Sequence, residues 1–200
     1  MLQGNPSPPH LCAKSFDSFL LKTFRKNIQD NPNWPNRPEA YGWIEPSLWL
    51  AQINDIVRTQ FIVKYLDGVE ALVEDLRDWA ILNALETKAD FEARPEGYYA
   101  AHAYVVIPLE LPGNDWTSQP VNVSLEMQIT TQLKDVLGQL THTYNEQRRR
   151  RPESANVAWE WRYHSDEFLS NYLGHLMHYL EGMIMEVRSR QEEKSNDRHK

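Results

Sequence analysis

Cysteine is almost absent from the sequence, because Cys12 is the single cysteine in 200 residues. One cysteine cannot form an intrachain disulfide, which fits a reducing compartment better than a disulfide-stabilised secreted domain. Long apolar runs are lacking too, since no stretch approaches the roughly 20 residues of a membrane-spanning helix. The start, "MLQGNPSPPHLCAKSF", lacks the unbroken apolar segment of a signal peptide. We therefore expect a cytoplasmic protein with no membrane partner.

The sequence also lacks an excess of positive charge. Its net charge of −7 argues against general nucleic-acid binding, in which Lys and Arg neutralise phosphates. A local basic patch is still compatible with this charge. Apolar residues make up 41% of the chain and include seven tryptophans. That supply is sufficient for the core of one domain.

The hydrophobic pattern predicts an α+β fold in which helices cover a sheet. Residues 1–13 are rich in Pro, Gly and Ser and are predicted to form a flexible lead. A single domain is predicted over 14–190, followed by a charged tail, 191–200, that frays. The predicted elements are a helix in "SFDSFLLKTFRKNIQ", a short helix over 46–53, a strand in "IVRTQFIVKYL", a helix over 67–85, strands over 101–109 and 121–130, a helix over 131–147 and an added C-terminal helix at about 165–190. Residues 86–97 are predicted to be a charged connector, and "VAWEWRYH" a short strand or an extended packing arm.

Polar side chains alternate along the last predicted strand, "VNVSLEMQIT". Alternation places Glu126 and Gln128 on one face and the apolar residues on the other. This polar face is either the solvated side of an edge strand or part of a site. Asp55 comes just before the first predicted strand. If the two strands are neighbours, Asp55 and Glu126 form a pair suited to Mg²⁺, which one or two carboxylates and substrate phosphates typically bind.

Aromatic residues gather beside a glycine in "RPEGYYAAHAYVVIPLE". Gly97 permits a tight turn or the close approach of a ligand. Tyr98 can then stack on a nucleobase, because every base presents a π-face. Tyr99 is expected to pack in the core, since adjacent tyrosines cannot face the same way. His102, together with Arg94, would bracket the stacked ring.

The motifs "EGYYAAHAYV" and "VSLEMQITTQLKDVLGQLTHTY" resemble the synthetase domain of RelA/SpoT-type pyrophosphokinases. That family has a Gly-Tyr-x-x-x-His loop, then a Glu-x-Gln-Ile-x-Thr strand, and then a helix with a histidine near its end, here His142. "NDIVRTQFIVKYLDGVEAL" resembles an earlier segment of the family, and the resemblance spans roughly residues 45–147. It implies a mixed sheet flanked by helices, akin to nucleotidyltransferases. The implied reaction moves the β,γ-pyrophosphate of ATP to the 3′-hydroxyl of an acceptor nucleotide.

The resemblance implies a catalytic set on the two acidic strands. Asp55 matches the Mg²⁺-binding aspartate of the family. Glu126 matches a second acidic residue that binds the metal or activates the hydroxyl. Gln128 matches the glutamine of the same strand.

The resemblance also implies two nucleotide sites. Tyr98 matches the tyrosine that stacks on the acceptor base, and Arg94 and His102 match residues near the acceptor's phosphates or sugar. Basic side chains are expected to neutralise the remaining phosphates. These candidates are Lys88 on the acceptor side and Arg58 and Lys64 for ATP.

The sequence departs from the usual family pattern on the phosphate-binding side. Thr130 and Gln60 stand where ordinary members carry arginine, and "PEAYGWIEPSLWLAQIND" contains no basic residue. The ATP contacts must then come from elsewhere, for example the helix of Lys22 and Lys26. There is also no hydrolase domain in the sequence. These features resemble the toxic small alarmone synthetases, a branch kept silent by a partner antitoxin.

Many enzymes of that branch use ATP to pyrophosphorylate the 3′-CCA end of tRNA, which blocks aminoacylation and translation. The sequence is therefore interpreted as such a toxin, with a cognate antitoxin and the tRNA acceptor end as partners. The tRNA would bind a basic patch, either Lys22, Arg25 and Lys26 or residues 148–151; each is alternatively a solvated helix end.

Two other functions stay open at this level. One is an alarmone synthetase that makes (p)ppGpp or (pp)pApp from ATP and a free purine nucleotide. The other is a non-enzymatic binder, against which the joint presence of Asp55, Tyr98 and Glu126 argues. The spacing of His175, His178 and Glu181 suits a metal, or the three are ordinary side chains beside an apolar stripe.

Overall fold

The structure is a computed structural model that describes residues 9–40, 42–45, 49–112, 117–149 and 158–197, without the side chains of 51, 142–149, 193 and 195–197. The elements are β1 Cys12–Ala13, α1 Phe16–Phe24 with a π-helical turn Arg25–Gln29, α2 Trp49–Gln52, β2 Val57–Val63, α3 Leu66–Leu82, β3 Glu86–Ala93, β4 Tyr99–Pro112, β5 Ser118–Thr131, α4 Gln132–Arg149, a 3₁₀ turn Trp159–Trp161 and α5 Asp166–Asp197. None of the helices in these ranges has the length and hydropathy that crossing a bilayer requires.

The strands form one five-stranded sheet in the order β1-β2-β5-β4-β3. β2 runs parallel to β5, whereas the other neighbouring pairs are antiparallel. The prediction of an α+β fold with a mixed sheet flanked by helices is thereby confirmed. The strand that follows Asp55 is also the neighbour of the strand that carries Glu126, because Arg58 pairs with Glu126.

The predicted charged connector is wrong, because residues 86–93 form the edge strand β3. Side chains alternate along this strand despite its charges: Lys88 is exposed, whereas Ala89 packs against the main core. Among the described strands, β3 pairs only with β4. An edge strand with one solvated face tolerates such charges, which also discourage pairing with other chains.

Three other boundaries differ from the sequence predictions. Cys12 and Ala13, predicted to lie in the flexible lead, pair with β2 as the short strand β1. In the described part of "VAWEWRYH", residues Trp159–Trp161 form a 3₁₀ turn rather than a strand. The ring of Trp159 lies 6.1 Å from that of Phe168. Helix α5 continues to Asp197, past the predicted end at about residue 190.

One face of the sheet holds the core. Ala101, Ala103 and Val105 on β4 lie beside Met127 and Ile129 on β5, and all five are at most 5% exposed. α3 covers this face with Val69 and Val73. A second cluster joins Ile44, Ile53 and Ile56 with Phe19 of α1. This second cluster fixes α1 beside the turn that contains Asp55.

Candidate active site

The opposite face of the sheet carries two rows of polar residues that cross β2, β5, β4 and β3. Strand register places Arg58, Glu126, Tyr104 and Lys88 in one row and Gln60, Gln128, His102 and Asp90 in the next. β5 has a neighbour on each side, so the interpretation of its polar face as part of an edge strand is wrong. Partly buried polar groups on a central strand need partners, which makes this face a candidate site.

A cleft of about 910 Å³ opens over this face, within the range of small-molecule sites. Its wall is completed by residues of α4, and by Ser170 and Asn171 of α5. Most of the predicted site residues line it: Asp55, Arg58, Arg94, Tyr98, His102, Glu126 and Gln128. The other two predicted phosphate ligands do not line it. Lys64 lies over the ring of Tyr65, and Lys88 pairs with Asp90 at 2.7 Å.

A chain of hydrogen bonds fixes the groups around Tyr98. Gln128 Nε2 donates to the Tyr98 hydroxyl at 2.8 Å, and that hydroxyl lies 3.0 Å from His102 Nε2. His102 Nδ1 lies 2.6 Å from Glu126 Oε1. A carboxylate can only accept, so Nδ1 donates in this contact; Nε2 can then accept from Tyr98 in a neutral ring or donate in a protonated one. The side chains of His102 and Glu126 are each 12% exposed, so the pair is largely buried in the lining of the cleft.

A cation beside Tyr98 is already paired with a carboxylate. The Arg94 guanidinium lies 4.9 Å from the centre of the Tyr98 ring and bonds both oxygens of Glu92 at 2.8 Å. The hydrogen bond that Arg94 donates to Glu92 is the main cause that raises the pKa of Arg94. Glu92 Oε2 also lies 3.3 Å from His102 Nε2. Glu92 was not predicted as a site residue, because its strand was interpreted as a connector.

Asp55 lies between two lysines at the other end of the cleft. Lys14 and Lys22 each approach one of its carboxylate oxygens at 2.7 Å. Burial is the largest influence and raises the pKa of Asp55, but the bonds and charges of both lysines outweigh it and lower the pKa. Burial and then the charge of Lys22 lower the pKa of Lys26. Lys22, predicted for tRNA, therefore lies at the predicted catalytic aspartate, whereas Arg25 is exposed.

Lys14 and Tyr104 are site residues that the sequence analysis missed. Lys14 stands alone beside the proline-rich lead, where no pattern distinguishes it. Tyr104 had a usable signal, because it follows His102 by two residues and so shares its face. Burial, and then the charges of Glu126 and other carboxylates, raise the pKa of Tyr104 to about 12. Its hydroxyl is therefore neutral beside Glu126.

The residues present suit a magnesium ion held jointly with a substrate. Among the described residues, no group of three His, Cys, Asp or Glu side chains could hold a metal. Asp55 and Glu126 nevertheless offer hard carboxylate oxygens to the same cleft. One or two carboxylates completed by phosphates and water are a common Mg²⁺ arrangement. Lys14 and Lys22 would have to release Asp55 before it could serve.

Comparison with known proteins gives a match in structure alone. No protein-family model matches the chain, and no curated protein sequence matches it. Small alarmone synthetase 1 from Bacillus subtilis matches with a TM-score of 0.58 and 18% identity, over 92% of this chain and 80% of that chain. The structure of that synthetase bound to its product pppGpp matches with a TM-score of 0.57 and 17% identity, over 92% of this chain and 79% of that chain.

A GTP pyrophosphokinase family protein from Streptococcus pneumoniae is similar to the same extent. Its TM-score is 0.55 at 16% identity, over 94% of this chain and 79% of that chain. Identities this low establish architecture and not activity. The chain therefore has the fold of the small alarmone synthetases.

Proposed function

We propose that this protein is the toxin of a toxin–antitoxin system, and that it transfers pyrophosphate from ATP to the 3′-hydroxyl of the tRNA CCA end. Such a product cannot be aminoacylated, so translation would stop. The support is the chain of hydrogen bonds from Gln128 through Tyr98 and His102 to Glu126, in the cleft of a synthetase fold. It places an aromatic ring and a fixed carboxylate together, as an acceptor nucleoside would require.

The proposed transfer needs one new bond and breaks one. The acceptor 3′-oxygen attacks the β-phosphorus of ATP, and the bond from that phosphorus to the α,β-bridging oxygen breaks. AMP leaves, and the hydroxyl proton passes to Glu126. His102 orients Glu126 through the Nδ1 contact, and Tyr98 holds the base by stacking. Positioning and charge neutralisation supply most of the catalysis in reactions of this class.

Lysines at the Asp55 end are the proposed ligands of the ATP phosphates. Lys14 and Lys22 already hold a carboxylate there, and Arg58 lines the same cleft. They would take the place of the basic segment that residues 38–55 lack. Asp55 and Glu126 would hold Mg²⁺, which when bound would neutralise phosphate charge. Lys64 stays a predicted ATP ligand, but its position outside the cleft does not support that role.

Charge pairing on the acceptor side favours tRNA over a free nucleoside triphosphate. Arg94 is engaged by Glu92, and Lys88 by Asp90. Gln60 and Thr130, which replace two expected arginines, both line the cleft. A triphosphate beside Tyr98 would have to compete with Glu92 for Arg94, whereas a terminal adenosine carries a single phosphodiester charge there.

The second candidate is an alarmone synthetase that makes (p)ppGpp or (pp)pApp from ATP and a free purine nucleotide. The observation in its favour is the fold shared with a synthetase solved with its product pppGpp. In that case Arg94 would exchange Glu92 for the phosphates of the acceptor.

The tRNA and antitoxin contacts belong to the same proposal. Lys22, Arg25 and Lys26 lie on or just after α1, whose apolar Phe16 and Leu20 are exposed. The alternative patch, residues 148–151, lies outside the described side chains. Arg25 is exposed beside these apolar side chains, whereas Lys22 and Lys26 are partly buried. An exposed cation beside apolar side chains suits an acceptor stem and a protein partner. The cytoplasmic location also stays a prediction.

One assay separates the two candidates. The purified protein is incubated with ATP labelled in its γ-phosphate and, separately, with tRNA, GDP, GTP or AMP. The proposal expects label on tRNA and little on the free nucleotides; label on GDP, GTP or AMP alone would establish the second candidate. The Glu126→Gln variant is the control for a contaminating kinase. When expressed without an antitoxin, the wild-type protein should arrest growth and the variant should not.

A further inference from the structure

The loop that carries Tyr98 is pressed against helix α5 at two glycines. The acceptor loop, residues 94–99, turns tightly, because Arg94 N–H donates to Tyr98 O and Gly97 N–H donates to Arg94 O, both at 2.9 Å. Gly97 has a positive φ of 71°. A Cβ at Gly97 would lie 2.4 Å from the backbone oxygen of Asn171, and one at Gly174 would lie 2.4 Å from Gly97 O. Both residues must be glycine for the loop to lie where it does.

His175, the next residue on α5, joins the loop at both of its ring nitrogens. Nε2 lies 2.8 Å from the carbonyl of Pro95, and Nδ1 lies 2.7 Å from the hydroxyl of Tyr99. A carbonyl can only accept, so Nε2 carries the proton, and in a neutral ring Nδ1 can accept from Tyr99. The Tyr99 ring stacks on His178, one turn further along, at 3.7 Å. His175 and His178 are thus occupied by the loop rather than arranged around a metal.

Helix α4 also contacts this loop. Lys134 Nζ donates to the carbonyl of Gly97, which is also the oxygen that Gly174 approaches. Lys134 and Asn171 both line the cleft. The loop that carries Tyr98 is therefore contacted by two helices, and Tyr98 itself lines the cleft.

We propose that Gly174 and His175 are positioning residues that hold the acceptor loop in the geometry that binds the acceptor base. This inference rests on the proposed function for its substrate, but its structural content does not. Gly174 sets how closely the loop approaches α5, and His175 sets its lateral position through Pro95 and Tyr99. A displacement of about 1 Å at a reacting group can cost on the order of a hundredfold in rate, so a side chain at residue 174 should be costly.

The test compares Gly174→Ala with Gly182→Ala. Both glycines lie in α5, but a Cβ at Gly182 would meet nothing within 4 Å. Both variants gain the same helix propensity, so neither should unfold for that reason. Gly174→Ala should raise the KM for the acceptor about ten- to a hundredfold and leave the KM for ATP unchanged. Gly182→Ala should match the wild type in both constants.

A second pair of variants keeps the inference testable if Gly174→Ala does not fold. His175→Ala removes both contacts, whereas His175→Gln keeps a donor for the Pro95 carbonyl. His175→Ala should raise the acceptor KM, and His175→Gln should recover part of the loss. Equal acceptor constants for the wild type, Gly174→Ala and His175→Ala would overturn the inference.

Hydrogen exchange separates this inference from the proposed function. The amides of residue 94 and of residues 96–99 should exchange faster in Gly174→Ala than in Gly182→Ala or the wild type, whether or not any acceptor is known. If no acceptor is modified but exchange rises as expected, the positioning role stands and the proposed function fails. If transfer to tRNA occurs but exchange and acceptor KM are unchanged in Gly174→Ala, the positioning role fails alone.

Discussion

The two faces of the β4–β5 pair carry different kinds of side chain. On the core face, Ala103 and Ile129 are buried among apolar side chains. On the cleft face, His102 and Glu126 alternate with them and contact each other. Because strand side chains alternate, one pair of strands supports stability on one side and a site on the other. Substitutions on the core face should therefore change melting, whereas those on the cleft face should change activity.

The largest expected effect is on the cleft face, at the two carboxylates. Glu126→Gln keeps the side-chain volume and the acceptor for His102 but removes the charge and the base. We expect transfer to fall by roughly 10²- to 10⁴-fold, the usual contribution of a general base. Transfer by Asp55→Asn should fall at least as far if Asp55 holds Mg²⁺. Turnover close to wild type in either purified variant would remove these residues from the mechanism.

The matching substitution on the core face is Ile129→Ala. Ile129 is 0% exposed, so the change leaves a cavity and should lower the free energy of unfolding by about 2–5 kcal/mol. Turnover per folded molecule should stay near wild type at low temperature. Denaturant unfolding, combined with an activity assay corrected for the folded fraction, measures both. Lost activity at unchanged stability would mean that the two faces are not independent.

The adjacent tyrosines give the same comparison within one dipeptide. Tyr98 faces the cleft, whereas Tyr99 stacks on His178 on the other side. Loss of base stacking in Tyr98→Ala should cost roughly 1–3 kcal/mol of acceptor binding. Tyr98→Phe keeps the ring but loses the contacts to Gln128 and His102, so its added defect should lie in turnover. Tyr99→Ala loses the contacts to His175 and His178, so it should lower the melting temperature and raise the acceptor KM while turnover stays near wild type. A turnover defect in Tyr99→Ala with none in Tyr98→Phe would exchange their roles.

Substitutions of Lys22 and Arg25 should have separate effects, on ATP use and on tRNA binding respectively. Lys22 is paired with Asp55, and Arg25 is exposed on the following turn. Arg25→Ala should weaken tRNA binding and reduce its logarithmic salt dependence by about 1. Lys22→Ala should mainly raise the KM for ATP. Salt titrations of tRNA binding that are the same for wild type, Arg25→Ala and the Lys22, Arg25 and Lys26 triple alanine variant would make this patch ordinary solvated surface.

The smallest expected effect is a pH dependence of stability that comes from Lys134. Burial, opposed only by the charge of Glu181, lowers the pKa of Lys134 to about 8 in the folded protein. The unfolded chain therefore binds more protons between about pH 8 and 10.5, and stability should rise with pH across that window. Lys134→Met should abolish the rise. Melting temperatures that change in parallel for wild type and variant from pH 7.5 to 9.5 would contradict this prediction. Tyr104 does not interfere, because its pKa in the folded protein, about 12, lies above this range.

Local patterns predicted most of the fold and of the candidate site. The strands that carry Glu126 and His102 were visible because apolar and polar residues alternate, and Gly97 marked the turn between β3 and β4. The resemblance in three ordered motifs then pointed to Asp55 and Tyr98. These residues do share one cleft in the structure.

The rest depended on contacts between distant residues, which a local pattern cannot show. Lys14 reaches Asp55 across 41 positions, and His175 reaches Pro95 across 80. β3 was missed because its exposed charges suggested a loop, although Ala89 packs against the core. The cluster of Lys22, Arg25 and Lys26 on one helix likewise gave no sign that Lys22 pairs with Asp55.

The central claim is that the 3′-hydroxyl of the terminal adenosine of tRNA accepts pyrophosphate from ATP. The most direct test uses one tRNA prepared in two forms, ending either in normal CCA or in CC with a terminal 3′-deoxyadenosine. With ATP labelled in its γ-phosphate, the account predicts label on the normal tRNA, none on the deoxy form, and none on either with Glu126→Gln. Equal labelling of the two tRNAs, or label only on added free nucleotides, would contradict it.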